Sequence, residues 1–162
     1  MIYWFTGQPG AGKTVLADLL KQNKFRKAYR IDGDQMRDLF SNKDYSIKGR
    51  IANIDAAQKI SHYLHNQGQD VIVSLVSPYL DQREEFKEIL GSKLVEFYIH
   101  TTSQRGREKY HVEGYQKPNN HFTYINTTID TPIQSLKKIA AAIRTTQKET
   151  NKIIDGSGVI IK

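Results

Sequence analysis

Residues 4–20, "WFTGQPGAGKTVLADLL", set three glycines and a Lys-Thr pair between an apolar run and an amphipathic one. Gly7 through Thr14 fit G-x-x-x-x-G-K-[ST] in full, and the flanks offer the strand and the helix that this pattern requires. Ile2–Thr6 is apolar, aromatic and β-branched, which predicts a buried strand ending at Gly7. Thr14–Leu20 carries Val15, Leu16, Leu19 and Leu20 at helical spacing. Between them the backbone of Gly7, Gln8, Pro9, Gly10, Ala11 and Gly12 can wrap closely, so that N–H groups converge on phosphate oxygens at the positive end of the helix dipole. Lys13 is then in line to reach the β- and γ-phosphates of ATP, and the Thr14 hydroxyl to ligate Mg²⁺.

The rest of the chain alternates strand and helix. Strands are predicted at Ala28–Ile31, Asp70–Val76, Leu94–Ile99 and near Thr127–Asp130. Helices are predicted from Ile47 to about Gly68, over Asp81–Leu90, and from Pro132 to about Thr146, with a small hairpin around Gly156-Ser157. This order predicts an α/β fold, a three-layer α/β/α sandwich on a mostly parallel sheet of the P-loop nucleotide-kinase-like kind. Its ligand sites would lie at the carboxyl ends of the strands. The length of 162 residues predicts one domain over 1–162. At about 103–123 periodicity lapses and charges, Pro118 and paired Asn gather, as in a lid-like insertion.

No apolar run approaches the roughly 20 residues that span a bilayer. The absence of cysteine rules out disulfides, thiol catalysis and thiolate metal sites, and fits a reducing compartment. The chain opens on a phosphate-loop sequence rather than a secretory leader, so a cytoplasmic location is expected. The net charge of +7 favours anionic partners. Its basic residues are scattered apart from "KQNKFRKAYR" at 21–30, so a small-molecule acceptor is favoured over nucleic acid, and a homodimer stays open.

Other phosphate-loop classes fit less well. "NKD" at 42–44 lacks the spacer of a guanine reader, and the strand over 71–76 runs into Val76-Ser77 instead of an acidic residue. A small-molecule kinase therefore leads. "RIDGDQMRDLF" puts Asp32 and Asp34 directly after a strand, one suited to be the base for an acceptor hydroxyl and the other an anchor for hydrated Mg²⁺. The same Asp-Gly-Asp also suits a turn with Asp34 as helix cap. Arg37, Arg50 and Asn53 suit an anionic or polar acceptor, or a solvated helix face. Ser77, before Pro78, faces the same crevice or simply starts the next helix.

Together these pieces resemble the adenylylsulfate kinase family. "WFTGQPGAGKT" is similar to that family's Trp-Leu-Thr-Gly-Leu-Ser-Gly-Ser-Gly-Lys-Thr, "IDGDQMR" to its Leu-Asp-Gly-Asp-Asn-x-Arg, and "VSPYLDQR" to its Ile-Ser-Pro-Tyr-Arg-x-x-Arg. Ser46, Arg50, Asn53 and Ile54 keep its Ser-to-Arg-to-Asn-Ile spacing. The resemblance implies phosphoryl transfer from ATP to the 3′-hydroxyl of adenylyl sulfate in sulfate assimilation. It also implies Asp34 as base, Asp32, Arg37, Arg50 and Asn53 at the acceptor, and Ser77 as the family's active-site serine.

Two departures stand out. Asp55 occupies the place of a substrate-binding arginine, which sets an acid where the acceptor's anion is expected, and the family's lid segments are not recognisable in "RGREKYHVEGYQKPNNHFTY". That stretch still mixes Arg105, Arg107, Lys109 and Lys117 with Tyr110, His111, Tyr115 and Phe122, a composition suited to neutralising phosphate and stacking a base. Arg105 is grouped with the ATP-binding residues. The alternatives are a kinase for another hydroxyl acceptor, such as a nucleoside, a sugar or a hydroxymethylated base in DNA, and a nucleotide-binding protein without transfer.

Overall fold

Every residue of the first strand is buried, and successive side chains enter two different cores. In the computed structural model, which describes residues 1–156, β1 (Ile2–Thr6) leads into α1 (Lys13–Asn23), β2 (Tyr29–Asp32), α2 (Gly33–Leu39) and α3 (Ile47–Asn66). There follow β3 (Val71–Ser74), α4 (Leu80–Leu90), β4 (Leu94–His100), β5 (Phe122–Asn126) and α5 (Pro132–Gly156). The strands form one parallel sheet in the order β2-β3-β1-β4-β5. Tyr3 and Phe5 pack with Leu16, Ala17 and Leu20 of α1 and Ile139 and Ile143 of α5. Ile2 and Trp4 pack with Ile54 and Ala57 of α3 and Phe86 and Leu90 of α4. Full burial of one such side chain contributes about 1.5–3 kcal/mol, so two-sided burial makes β1 a rigid base for the loop that leaves it.

Parallel strands bring all their carboxyl ends to one edge, and there the chain delivers Gly7, Asp32 and Ser77 together. Local chemistry fixes the helix starts. Ser46 caps α3 by accepting from the Gly49 N–H. Thr131 and Gln134 cap α5 reciprocally, the Gln134 N–H donating to Thr131 Oγ1 and the Thr131 N–H to Gln134 Oε1.

Three expectations need correction. The last strand is Phe122–Asn126, earlier than Thr127–Asp130, because residues 127–130 turn back with the Ile129 and Asp130 N–H groups on the Asn126 carbonyl. Ile125 is its one buried residue, too little pattern for a strand to be read. The expected lid therefore gives its last two residues to β5. The C-terminal hairpin is also displaced: α5 runs to Gly156, and residues 157–162 lie outside the described residues. Among the described residues no helix is long and apolar enough to cross a membrane.

Candidate active site

The phosphate loop is shaped by steric demand at its first glycine. Gly7 has φ +148°, and a Cβ there would lie 2.1 Å from the Ile99 carbonyl oxygen, a backbone atom that cannot yield. Gly7→Ala is expected to lower stability by more than about 3 kcal/mol, read as a fall in the denaturation midpoint. Gly10 (φ +83°) and Gly12 (φ +101°) complete the bend, and Gly12 starts α1. Lys13 is buried beneath the loop and donates from Nζ to the Gln8 carbonyl at 2.9 Å. Burial pushes its pKa down to about 8; Asp32 and Asp34 pull upward, and Arg107 adds to the fall.

Asp32 ties three elements together. The Thr14 hydroxyl donates to its Oδ2 at 3.1 Å, the Ser74 hydroxyl donates to the same oxygen at 2.7 Å, and the Asp34 N–H donates to Oδ1 at 3.1 Å. Arg30 donates to Ser74 Oγ at 2.7 Å and lies 3.4 Å from Asp32 Oδ2. Burial alone would raise the Asp32 carboxyl, but these hydrogen bonds and the Arg30 charge hold it below the usual carboxylate range. Asp34, in the first turn of α2, is exposed, and its charge is felt at Lys13.

A cavity of about 950 Å³ joins the loop to α2, α3 and the lid. In its wall the Arg37 guanidinium lies 4.1 Å over the Tyr45 ring and donates to the Asp44 carbonyl at 2.8 Å. Arg50 donates from Nε to the Tyr45 carbonyl at 2.8 Å, and the buried Asn53 donates to the Gly33 carbonyl at 3.2 Å. Ser77 sits at the floor, buried, with φ +43° and its hydroxyl accepting from the Trp4 indole at 3.2 Å.

The lid lies on the loop. Arg105 donates to the carbonyls of Gly10 (3.2 Å) and Thr127 (2.7 Å). The root of the lid is held by Arg83, which donates to the carbonyls of Ser77 and Gln116, the latter at 2.6 Å. Its charge is met by buried Glu96, whose Oε1 is 2.9 Å from Arg83 Nε, an ion pair without hydrogen-bond alignment. Burial raises the Glu96 carboxyl against the pull of Lys87 and Arg83.

The model of the adenylylsulphate kinase family matches residues 1–139. The chain belongs to that family. It is 29% identical over 171 aligned positions to an adenylyl-sulfate kinase of Buchnera aphidicola from Acyrthosiphon pisum, covering 99% of this chain and 83% of that protein. It is 30% identical to one from Thermodesulfovibrio yellowstonii, covering 88% and 83%. Among solved structures, the Mycobacterium tuberculosis APS kinase CysC in complex with AMPPNP and APS superposes with a TM-score of 0.74 at 20% identity, covering 88% of this chain and 96% of that one. A gluconokinase from Sinorhizobium meliloti superposes at 0.67 with 11% identity, covering 93% and 95%. These superpositions establish the fold.

Most residues singled out from the sequence meet in one cavity. Pro9, Gly10, Gly12, Lys13 and Thr14 line it, as do Asp32, Asp34, Arg37, Arg50, Asn53, Ser77 and Arg105. Gly7, Gln8 and Ala11 do not: Gly7 faces Ile99, Ala11 is in the core, and the Gln8 side chain turns to the lid. The helix cap is Asp32, not Asp34, which leaves the Asp34 carboxylate free for the cleft. Asp55 is half-exposed, pairs with Lys59 at 2.8 Å and is not part of the cavity wall. Sequence reasoning missed Tyr45, which is 60% exposed at the cavity rim, and the role of Arg30, read only as part of the basic stretch 21–30. Aromatic residues in a polar turn carry no periodicity, and the partners of Arg30, Asp18 and Ser74, are distant in sequence.

Proposed function

We propose that this chain transfers the γ-phosphoryl group of ATP to the 3′-hydroxyl of adenylyl sulfate. The carrying observation is one cavity lined together by the Lys13 loop, by Asp34, and by the basic and aromatic side chains of Arg37, Arg50, Tyr45 and Tyr110. In this reading the acceptor oxygen bonds to the γ-phosphorus as the bond to the β-phosphate oxygen breaks, and ADP leaves. Asp34 takes the hydroxyl proton and releases it to solvent. Lys13 and the loop amides bind the developing charge. Arg37, Arg50 and Asn53 meet the acceptor's anionic and polar groups, and the exposed Tyr45 and Tyr110 rings flank its base.

The hydroxyl of Thr14 beside the carboxylates of Asp32 and Asp34 is an oxygen-only donor set, which fits Mg²⁺ arriving with the triphosphate. Bound there, Mg²⁺ supplies charge neutralisation to the phosphates. A cytoplasmic location belongs to the same proposal.

Labelled ATP and Mg²⁺ incubated with adenylyl sulfate, a nucleoside, gluconate or hydroxymethylated DNA test the reading. Label appearing in adenylyl sulfate supports it; label in another acceptor alone reassigns the acceptor, and label in none removes phosphotransfer.

Two further outcomes are expected. Arg107 lines the cavity and depresses the Lys13 pKa, and among the described residues its side chain, unlike that of Arg105, donates no hydrogen bond to a backbone carbonyl. Arg107→Ala is expected to lower kcat about 10²-fold with a small change in the KM for ATP. Lys13 must be protonated to act, and in the free protein its proton is lost as pH rises through about 8. So kcat/KM for ATP is expected to decline above that pH, while kcat, read with the triphosphate already bound, holds to higher pH.

A further inference from the structure

We propose that the Gln8 side chain is a positioning residue, a clip that holds the lid segment 107–113 over the phosphate loop; the inference rests on the phosphotransfer reading above. Its amide meets the backbone of Val112 twice. Nε2 donates to the Val112 carbonyl at 2.9 Å, and the Val112 N–H donates to Oε1 at 2.8 Å. Only one orientation of the amide satisfies both groups. The carbonyl of the same Gln8 accepts from Lys13 Nζ at 2.9 Å. One residue thus joins the lid to the lysine that faces the phosphates.

Apart from Gln8, an exposed contact of His111 Nε2 with the Pro9 carbonyl at 3.2 Å also ties the segment to the loop. The segment is bracketed by Gly106 (φ +73°) and Gly114 (φ +72°), and nothing lies within 4 Å of where a Cβ on either would stand, so packing does not hold these bends. Within the segment Val112 is the one buried residue. Beyond Gly114 the chain has its own anchors, the Tyr115 hydroxyl with Thr6 Oγ1 at 2.8 Å and the Gln116 N–H on the Pro78 carbonyl at 2.9 Å, and the Tyr115 N–H reaches back to the Val112 carbonyl at 3.3 Å. Arg107 and Lys109 belong to the stretch that Gln8 holds, so where their charges stand depends on the clip. A leucine, which the family pattern carries at this place, fills similar space and offers neither bond.

Gln8→Leu tests the proposal, with Gln8→Met as a length-matched repeat should the first variant loosen core amides. Two ordinary hydrogen bonds hold a closed arrangement about 5- to 30-fold over its release. Hydrogen exchange at the Val112 amide is expected to quicken by about that factor, while the amides of Leu20 and Ile72 keep their protection. In the same variant kcat for transfer is expected to fall by about 5- to 30-fold, the KM for ATP to stay within about twofold, and ATP hydrolysis to rise as a share of turnover because the lid no longer excludes water. Unchanged Val112 exchange overturns the clip, and faster exchange at unchanged kcat overturns the positioning role. The exchange measurement needs no acceptor. A wild-type protein that labels no acceptor therefore defeats the phosphotransfer reading alone, and the exchange result still decides the contact.

Discussion

Lys13→Ala is expected to lower transfer by about 10⁴-fold, with label from ATP falling to the background of the acceptor panel. Lys13 is the cation buried directly beneath the loop, desolvated enough to carry a pKa of about 8, and close to both Asp32 and Asp34. A charge in such surroundings acts on phosphate oxygens with little screening, and no mobile surface cation replaces it. Folding is not expected to suffer, because removing a buried ammonium also removes its desolvation cost. A circular dichroism melt at or above the wild-type midpoint, together with lost transfer, is the result that supports the role. Turnover within tenfold of wild type would show that Lys13 does not contact the transferred group.

Asp34→Asn is expected to slow kcat by about 10³-fold while stability stays near wild type. The two aspartates of the Asp-Gly-Asp turn make this a sharp test. Asp32 accepts from Thr14, Ser74 and the Asp34 N–H and sits against Arg30, so its replacement would disturb α2, the loop and catalysis together. The Asp34 side chain is exposed to the cleft and is not the helix cap, so asparagine there removes the proton acceptor and one negative charge beside Lys13 without disturbing α2. Near-normal turnover in Asp34→Asn would remove it as base. A rise in the KM for adenylyl sulfate at unchanged kcat would recast it as a binding group.

The donor half of the site was readable because its chemistry is local. The phosphate loop needs glycines at fixed spacing between a strand and a helix, and each of those demands leaves a mark within eight consecutive residues. The Asp-Gly-Asp turn and the Ser-Pro turn were readable as the ends of apolar strands for the same reason. The division of labour within them was not. Which aspartate caps α2 depends on the carboxylate's reach to Ser74 on the neighbouring strand, a contact 42 residues away in sequence. Asp55 looked like a reversed charge at the acceptor, yet the phase of α3 pairs it with Lys59 instead. The lid carried no period, so neither its contact with Gln8, 104 residues away, nor its anchoring by Arg83 could be anticipated.

By itself the sequence determined the alternating architecture, the nucleotide loop and the set of side chains gathered at one sheet edge, because strand burial, glycine geometry and helix capping act between near neighbours. Only the tertiary structure decided which of those side chains face the cleft, which are consumed in holding one another, and how the lid rests on the loop. Those outcomes follow from sheet order and helix phase, which bring distant residues to within hydrogen-bond distance and leave no trace in local spacing.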